Sequence, residues 1–184
     1  MNCLRRLSIL ALAGFVCAIG LLQATVAQSP PQGRLLLKAD STVTVNGTSA
    51  ISGATVFSDS TVTTGQNSSA VVSLGKLGRV EVLPESSLKL SFNDTGITVT
   101  LDQGRIGVSS LPRIDATVTT ADGSVVAIDD KRNEFVVDVT CGNTLVAVRK
   151  GTVELRTGST VKQIAAGGQD TAGTATPGCT RSGN

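Results

Sequence analysis

Residues 70–92, AVVSLGKLGRVEVLPESSLKLSF, alternate short apolar runs with single polar residues, and this period of two limits the fold more than any other feature of the chain. Val80 and Val82 flank Glu81, and Leu88, Leu90 and Phe92 flank Lys89 and Ser91, which sets the apolar residues on one face of a pleated sheet. The opposite face is left to water. Gly75, Gly78 and Pro84 punctuate the run, each disfavouring a continuing helix or central strand. The same grammar recurs to the end of the chain, and beyond residue 27 no segment sustains the apolar period of a helix. The pattern predicts an all-β fold with almost no helix. It would be a single domain of short, mostly antiparallel strands in a β-roll or twisted sandwich, with a short, more regular β-solenoid as the alternative.

A chain of 184 residues is long enough for one domain with a real core, and no composition shift divides it. Lys plus Arg number 16 and Asp plus Glu 14, but Arg5 and Arg6 lie in the leader described next, so the remainder is neutral. Such neutrality argues against a nucleic-acid partner. Histidine, tryptophan and tyrosine are absent, which removes the commonest general base, the commonest zinc ligand and the best stacking platforms together.

Asn2, Arg5 and Arg6 precede an apolar run at 7–22, and the small residues Thr25 and Ala27 follow it in the pattern of a cleavage site. Residues 1–27 therefore read as a secretory signal peptide, an N-terminal signal helix, and the expected location is periplasmic or secreted. An uncleaved anchor is the competing reading, because the run is slightly long for a leader and short for a spanning helix. A membrane is expected as a partner only in that case. Gly14 and Val16 occupy positions where a lipobox needs other residues, so Cys17 is not expected to carry a lipid.

Without the leader two cysteines remain, Cys141 and Cys179, in a compartment that permits disulfides. A bond between them is expected, since Cys179 lies in a tail, TAGTATPGCTRSGN, that offers little else to hold it; two unrelated thiols are the alternative.

Along the chain, 28–34 is a Pro-rich spacer, 35–170 the all-β domain and 171–184 a flexible tail. Val43 and Val45 lead into Asn46-Gly47, a pair suited to a type I′ hairpin turn. In 53–64, Val56, Phe57 and Val62 are available for burial around a turn at Ser58-Asp59-Ser60. DSTVTT at 59–64 recurs as DATVTT at 115–120, and each copy is followed by a turn and an apolar strand, which suggests two similar β-modules. Asn93-Asp94-Thr95-Gly96 and Gln103-Gly104 are further turns. In the late hairpin, Phe135, Val137, Val139 and Cys141 share a face. A two-residue loop at Gly142-Asn143 would pair Cys141 with Thr144, Val139 with Val146 and Val137 with Val148. Lys150-Gly151 then leads to Val153 and Leu155, and Thr157-Gly158 to Val161 and Ile164.

Little here points to chemistry. Nucleophilic catalysis needs a base beside the nucleophile, and no G-x-S-x-G or S-x-x-K stands at a strand-to-helix turn. Glu85-Ser86-Ser87 reads as a solvated turn after Pro84. Asp129-Asp130-Lys131-Arg132 reads as a solvated loop rather than a cation site, lacking further spaced oxygen ligands. Gly75-Lys76-Leu77-Gly78-Arg79 lacks the second half of a P-loop and reads as a basic turn. Three sequons, at Asn46, Asn67 and Asn93, coincide with predicted turns, and turn chemistry explains each asparagine. No catalytic residue, cofactor or metal is expected.

The order of GATVFSDSTVTTGQNSSAVVSLGKLGRVEVLPESSLKL, VTLDQGRIGVSS, EFVVDV, TLVAVRKGTVEL and VKQIAAGGQ resembles the FecR-domain family over about 42–172. The matching phrases lie around Thr63-Thr64-Gly65 and Leu83-Pro84-Glu85-Ser86, at Leu101 to Ile106, at Lys150 to Val153 and at Ala166-Gly167. The resemblance implies a non-enzymatic, envelope-located all-β module that takes a signal from an outer-membrane transporter and relays it towards an extracytoplasmic-function sigma factor. Its partner would be a receptor, transporter or other signalling protein of the envelope. This chain departs from that plan in having only six residues and no cytoplasmic anti-sigma segment ahead of the apolar run, which leaves the link to a sigma factor open. A structural surface scaffold that self-associates through exposed strand edges is the rival expectation.

Overall fold

The chain crosses between two facing sheets after every strand or hairpin, as the computed structural model of residues 31–38 and 40–180 shows. In sheet A lies β1 (Gln32–Leu37), and β2 (Val43–Val45) with β3 (Thr48–Ser49) forms a hairpin in sheet B. β4 (Thr55–Phe57) returns to A and β5 (Ser60–Thr64) to B. The hairpin β6 (Ala70–Ser73) and β7 (Gly78–Val82) lies in A, and β8 (Ser87–Phe92) with β9 (Gly96–Gln103) in B. β10 (Arg105–Ser110) joins A, β11 (Asp115–Thr120) and β12 (Gly123–Ala127) join B, and β13 (Asn133–Asp138) and β14 (Thr144–Lys150) join A. β15 (Thr152–Thr157) and β16 (Thr160–Ala165) complete B, and β17 (Gln169–Ala172) completes A.

The strand order is β17-β14-β13-β10-β7-β6-β1-β4 in A and β16-β15-β12-β11-β9-β8-β5-β2-β3 in B. Apart from the first turn of winding, each sheet is filled in sequence order from one end to the other. The expected sandwich is thus built by a solenoid-like advance of the chain. Neither sheet closes into a barrel, and a single 3-10 turn at Gly75–Leu77 is the only helical element among the described residues. Of the described ladders, only β9 with β11 is parallel.

Period-two burial follows the sequence pattern. Leu35, Val72, Val80, Ile106, Phe135, Val137 and Val146 point inward from sheet A. They meet Val62, Leu88, Leu90, Val99, Leu101 and Val118 of sheet B in one continuous core. Burying each such side chain contributes about 2 kcal/mol, so losing Phe135 from the centre would be among the costliest single changes. The move from sheet B to sheet A after β9 needs Gly104, at φ +90°. A Cβ there would lie 2.5 Å from Ser86 Cα and 2.7 Å from the Glu85 carbonyl oxygen, closer than side chains tolerate.

Several expectations change. The late hairpin has Val137 opposite Val146 and Phe135 opposite Val148, two residues away from the predicted register. Asp138 ends β13 by accepting the Thr140 N–H at 2.8 Å, and the Cys141 carbonyl is drawn away to accept from Thr176 N–H at 2.8 Å. A slip of two keeps the same face inward, so the core survives it. Phe57 is 53% and Val161 55% exposed, because each neighbours or alternates with an inward residue, Val56 and Ile164 respectively. Strand β1 takes in Gln32, Gly33 and Arg34 of the expected spacer, and β17 carries the fold to Ala172 by pairing with β14.

The DSTVTT and DATVTT copies become β5 and β11 of the same sheet, with Val62 and Val118 buried at the same place in each. The copies then part. β5 is followed by a strand of sheet A, whereas β11 turns back into β12 beside it, so no module is duplicated. Of the three sequon asparagines, Asn46 and Asn67 adopt positive φ, and Asn93 Oδ1 accepts the N–H groups of Thr95 and Gly96. The expected leader, 1–27, lies outside the described residues.

Candidate functional site

The two outer faces differ in kind. Strands β5, β8, β9 and β11 in the middle of sheet B alternate and put Thr61, Lys89, Thr98, Thr100, Thr117 and Thr119 outward, between buried neighbours. Four strands of sheet A, β1, β6, β13 and β14, carry unbroken apolar runs, Leu35-Leu36-Leu37, Ala70-Val71-Val72, Phe135-Val136-Val137 and Leu145-Val146-Ala147-Val148, on either side of the alternating β7 and β10. A strand that is apolar on both faces is the pattern of a sheet covered on both sides. Cross-strand pairing lines these residues up: Leu36 lies beside Val71, Val71 beside Glu81, Glu81 beside Gly107, Gly107 beside Val136, and Val136 beside Ala147. Leu36 is 46% exposed, and Val71, Val136, Leu145 and Ala147 are partly so.

Gly107 has no side chain to add to this row, and above it lies a furrow of about 160 Å³. Its walls are the long side chains of Arg79, Glu81, Arg105, Glu134 and Arg149. Two of these are neutralised locally. Arg105 Nε and Nη2 donate to Asp138 Oδ2 at 2.8 and 2.7 Å, and Glu134 pairs with Lys150 at 3.4 Å. The side chains of Arg79, Arg149 and Glu81 have no ion-pair or hydrogen-bond partner among the described residues.

The Asp138 carboxyl is held below the usual aspartate range. Burial alone pushes it up, but the Thr140 hydroxyl, the Arg105 guanidinium and the Thr140 N–H together outweigh burial and favour the charged form. Arg105 is thereby fixed in place beside the furrow.

Cys141 and Cys179 are bonded, with Cα atoms 5.6 Å apart, and tie the segment after β17 to the loop between β13 and β14. The Asp129 to Arg132 segment is a surface loop in which Asp129 Oδ1 accepts from Lys131 N–H at 3.0 Å, and Asn133 Nδ2 donates to the Asp129 carbonyl at 2.8 Å. Among the described residues no group of three or more His, Cys, Asp or Glu is placed to hold a metal. Lys76, in the 3-10 turn, meets Asp94 at 3.3 Å on the surface. Ser86 is fully buried rather than solvated: its Oγ accepts the Arg105 N–H at 2.9 Å, and its own N–H donates to Thr64 Oγ1 at 3.0 Å. The sheet A face was not among the residues picked out by motif, although its signal, unbroken apolar triplets among alternating strands, stands in the sequence.

No family model and no curated protein matches the chain. Two crystal structures of a candidate anti-sigma factor from Parabacteroides distasonis, at 1.65 and 2.50 Å resolution, are similar to it. Each superposes with a TM-score of 0.51 at 17% identity, over 59% of this chain and 52% of the other. The chain thus spans about half the length of those structures. At this identity the likeness is one of fold. No helix among the described residues is long and apolar enough to cross a membrane.

Proposed function

We propose that the protein is a non-catalytic, FecR-like binding or sensing module of the bacterial cell envelope, serving signal transduction or transport regulation through contact with another envelope protein. The observation that carries this reading is the outer face of sheet A, where partly exposed apolar residues and unpaired arginines share one furrow. The fold likeness to a candidate anti-sigma factor supports a regulatory role. The Cys141–Cys179 bond fits an oxidising compartment, and with it export to the periplasm or beyond.

The edges of the sheets weigh against the self-associating scaffold. At one end β3 and β4 are two and three residues long. At the other, Lys162 of β16 turns towards sheet A and pairs with Asp170 of β17 at 3.0 Å, setting a charge where an added strand would have to pack. The test is photo-crosslinking in cells from Leu36 and Val136, followed by identification of the adducts. A receptor, transporter or other signalling protein of the envelope is the expected product; self-adducts alone would replace this reading with the scaffold.

A further inference from the structure

Resting on that reading, we infer that the partner presents an extended, acidic stretch of polypeptide, which lies across the strands of sheet A with carboxylates on Arg79 and Arg149 and apolar side chains over Gly107.

Four observations lead there. The row from Leu36 to Ala147 presents Leu36, Val71, Val136 and Ala147 beside the single charge of Glu81, whereas the middle strands of sheet B turn threonine, serine and lysine outward. Arg79 and Arg149 line the furrow without an acidic partner among the described residues, whereas beside them Arg105 is held by Asp138 and Lys150 by Glu134. Two unmatched guanidinium groups beside a hydrophobic floor suit carboxylates placed two positions before and after an apolar side chain, on the same side of an extended chain.

The furrow is also narrow. Its volume of about 160 Å³ over Gly107 admits one side chain at a time, as an extended chain crossing the row would supply it. The row crosses five interstrand gaps, about 24 Å, the reach of roughly seven extended residues. Finally, Glu81 stands unpaired in the middle of the row, with Glu134, paired to Lys150, at its side. A surface of uniform negative charge, such as nucleic acid or an anionic lipid headgroup layer, would press phosphates against those carboxylates. A peptide can place a neutral or basic residue there.

Fluorescence anisotropy with labelled seven-residue peptides tests the inference directly. Three peptides carry valine at their fourth position and aspartate, serine or lysine at the second and sixth, on the same side of an extended chain, with threonine elsewhere, and are titrated with the purified chain. The aspartate peptide should bind about tenfold more tightly than the serine peptide at low salt, with the difference shrinking as ionic strength rises. Arg79→Gln with Arg149→Gln should abolish that preference without moving the thermal midpoint, and Arg79→Glu with Arg149→Glu should transfer it to the lysine peptide. Equal binding of all three peptides, no binding of any, or a preference that survives both double variants would overturn the inference. So would co-sedimentation with phosphatidylglycerol vesicles in place of peptide binding. The crosslinking experiment separates the two proposals: a foreign partner joined through a neutral or basic segment removes the acidic strand and leaves the binding module standing.

Discussion

Arg105 on β10 and Asp138 on β13 stand directly opposite each other, and both guanidinium contacts fall on one carboxylate oxygen while Thr140 occupies the other. The Asp138 side chain is 1% exposed and that of Arg105 17%. Deleting the arginine strands a buried charge, so Arg105→Ala should lower stability by about 2 kcal/mol, whereas Asp138→Asn keeps part of the hydrogen bonding and should cost less. The pH dependence follows from the depressed pKa of Asp138. Stability from the ionised carboxyl is fully present above its unfolded value, about 3.9, and is lost as pH falls through the lower folded value. Thermal midpoints followed by circular dichroism down to about pH 2 should show this acid loss in the parent and a weaker one in Asp138→Asn. Identical pH profiles would refute the assignment.

Gly104 and Gly158 both have positive φ, +90° and +54°, yet their surroundings differ. A Cβ at Gly158 meets nothing within 4 Å, while one at Gly104 runs into the backbone at Glu85 and Ser86. Gly158→Ala should therefore cost about 1 kcal/mol from conformation alone, and Gly104→Ala about 3 kcal/mol or more. Urea unfolding of the two variants decides it, and equal costs would contradict this account.

The core was legible because a period of two needs no tertiary information: Val80, Val82, Leu88, Leu90 and Phe92 are buried as the alternation requires. Turns with special backbone angles, such as Asn46-Gly47, were equally local. The register of the late hairpin was not. Counting from Gly142-Asn143 assumed the tightest loop, but Asp138 stops the ladder with its side chain and Cys141 is held by Cys179, far along the chain. Likewise, the repeat predicts two similar strands but not which sheet the chain enters next, since that depends on the turn and not on the strand. The sheet A face was hidden for a different reason: two-sided apolar strands differ from one-sided ones only by a single residue, such as Val71 or Val136, between two buried neighbours.

The Cys141–Cys179 bond closes a loop with a sequence separation of 38 residues, which on the chain-entropy model contributes about 4 kcal/mol. Replacing both cysteines by serine should lower the thermal midpoint and expose the segment 173–180 to protease first, with the β14–β17 ladder failing later. Thiol titration of the folded parent should find neither Cys141 nor Cys179 free. Reactive thiols at those positions would refute the bond.

Ser110 and Asn133 face each other at the ends of β10 and β13, and Ser110 Oγ and Asn133 Oδ1 are buried without a hydrogen-bond partner. They should respond differently to alanine. Ser110→Ala removes an unsatisfied hydroxyl and should be neutral or stabilising by up to about 1 kcal/mol. Asn133→Ala also removes the Nδ2 donations to the Asp129 and Lys131 carbonyls and should cost about 2 kcal/mol. Chemical denaturation of both variants checks the contrast, and a destabilised Ser110→Ala would show that the hydroxyl has a partner after all.

Among the described ladders, none joins residues farther apart in sequence than Arg34 and Ser73. Because the winding moves forward after its first turn, a chain emerging amino-terminus first has the partners of its early strands within reach long before the last strands are made. Assembly can then proceed as a zipper closes, each rung offering a finished edge to the next, and no early strand waits exposed for a distant mate. The end strands, β16 and β17 at one end and the short β3 and β4 at the other, have neighbours on one side only, and so they set where the closed zipper first reopens.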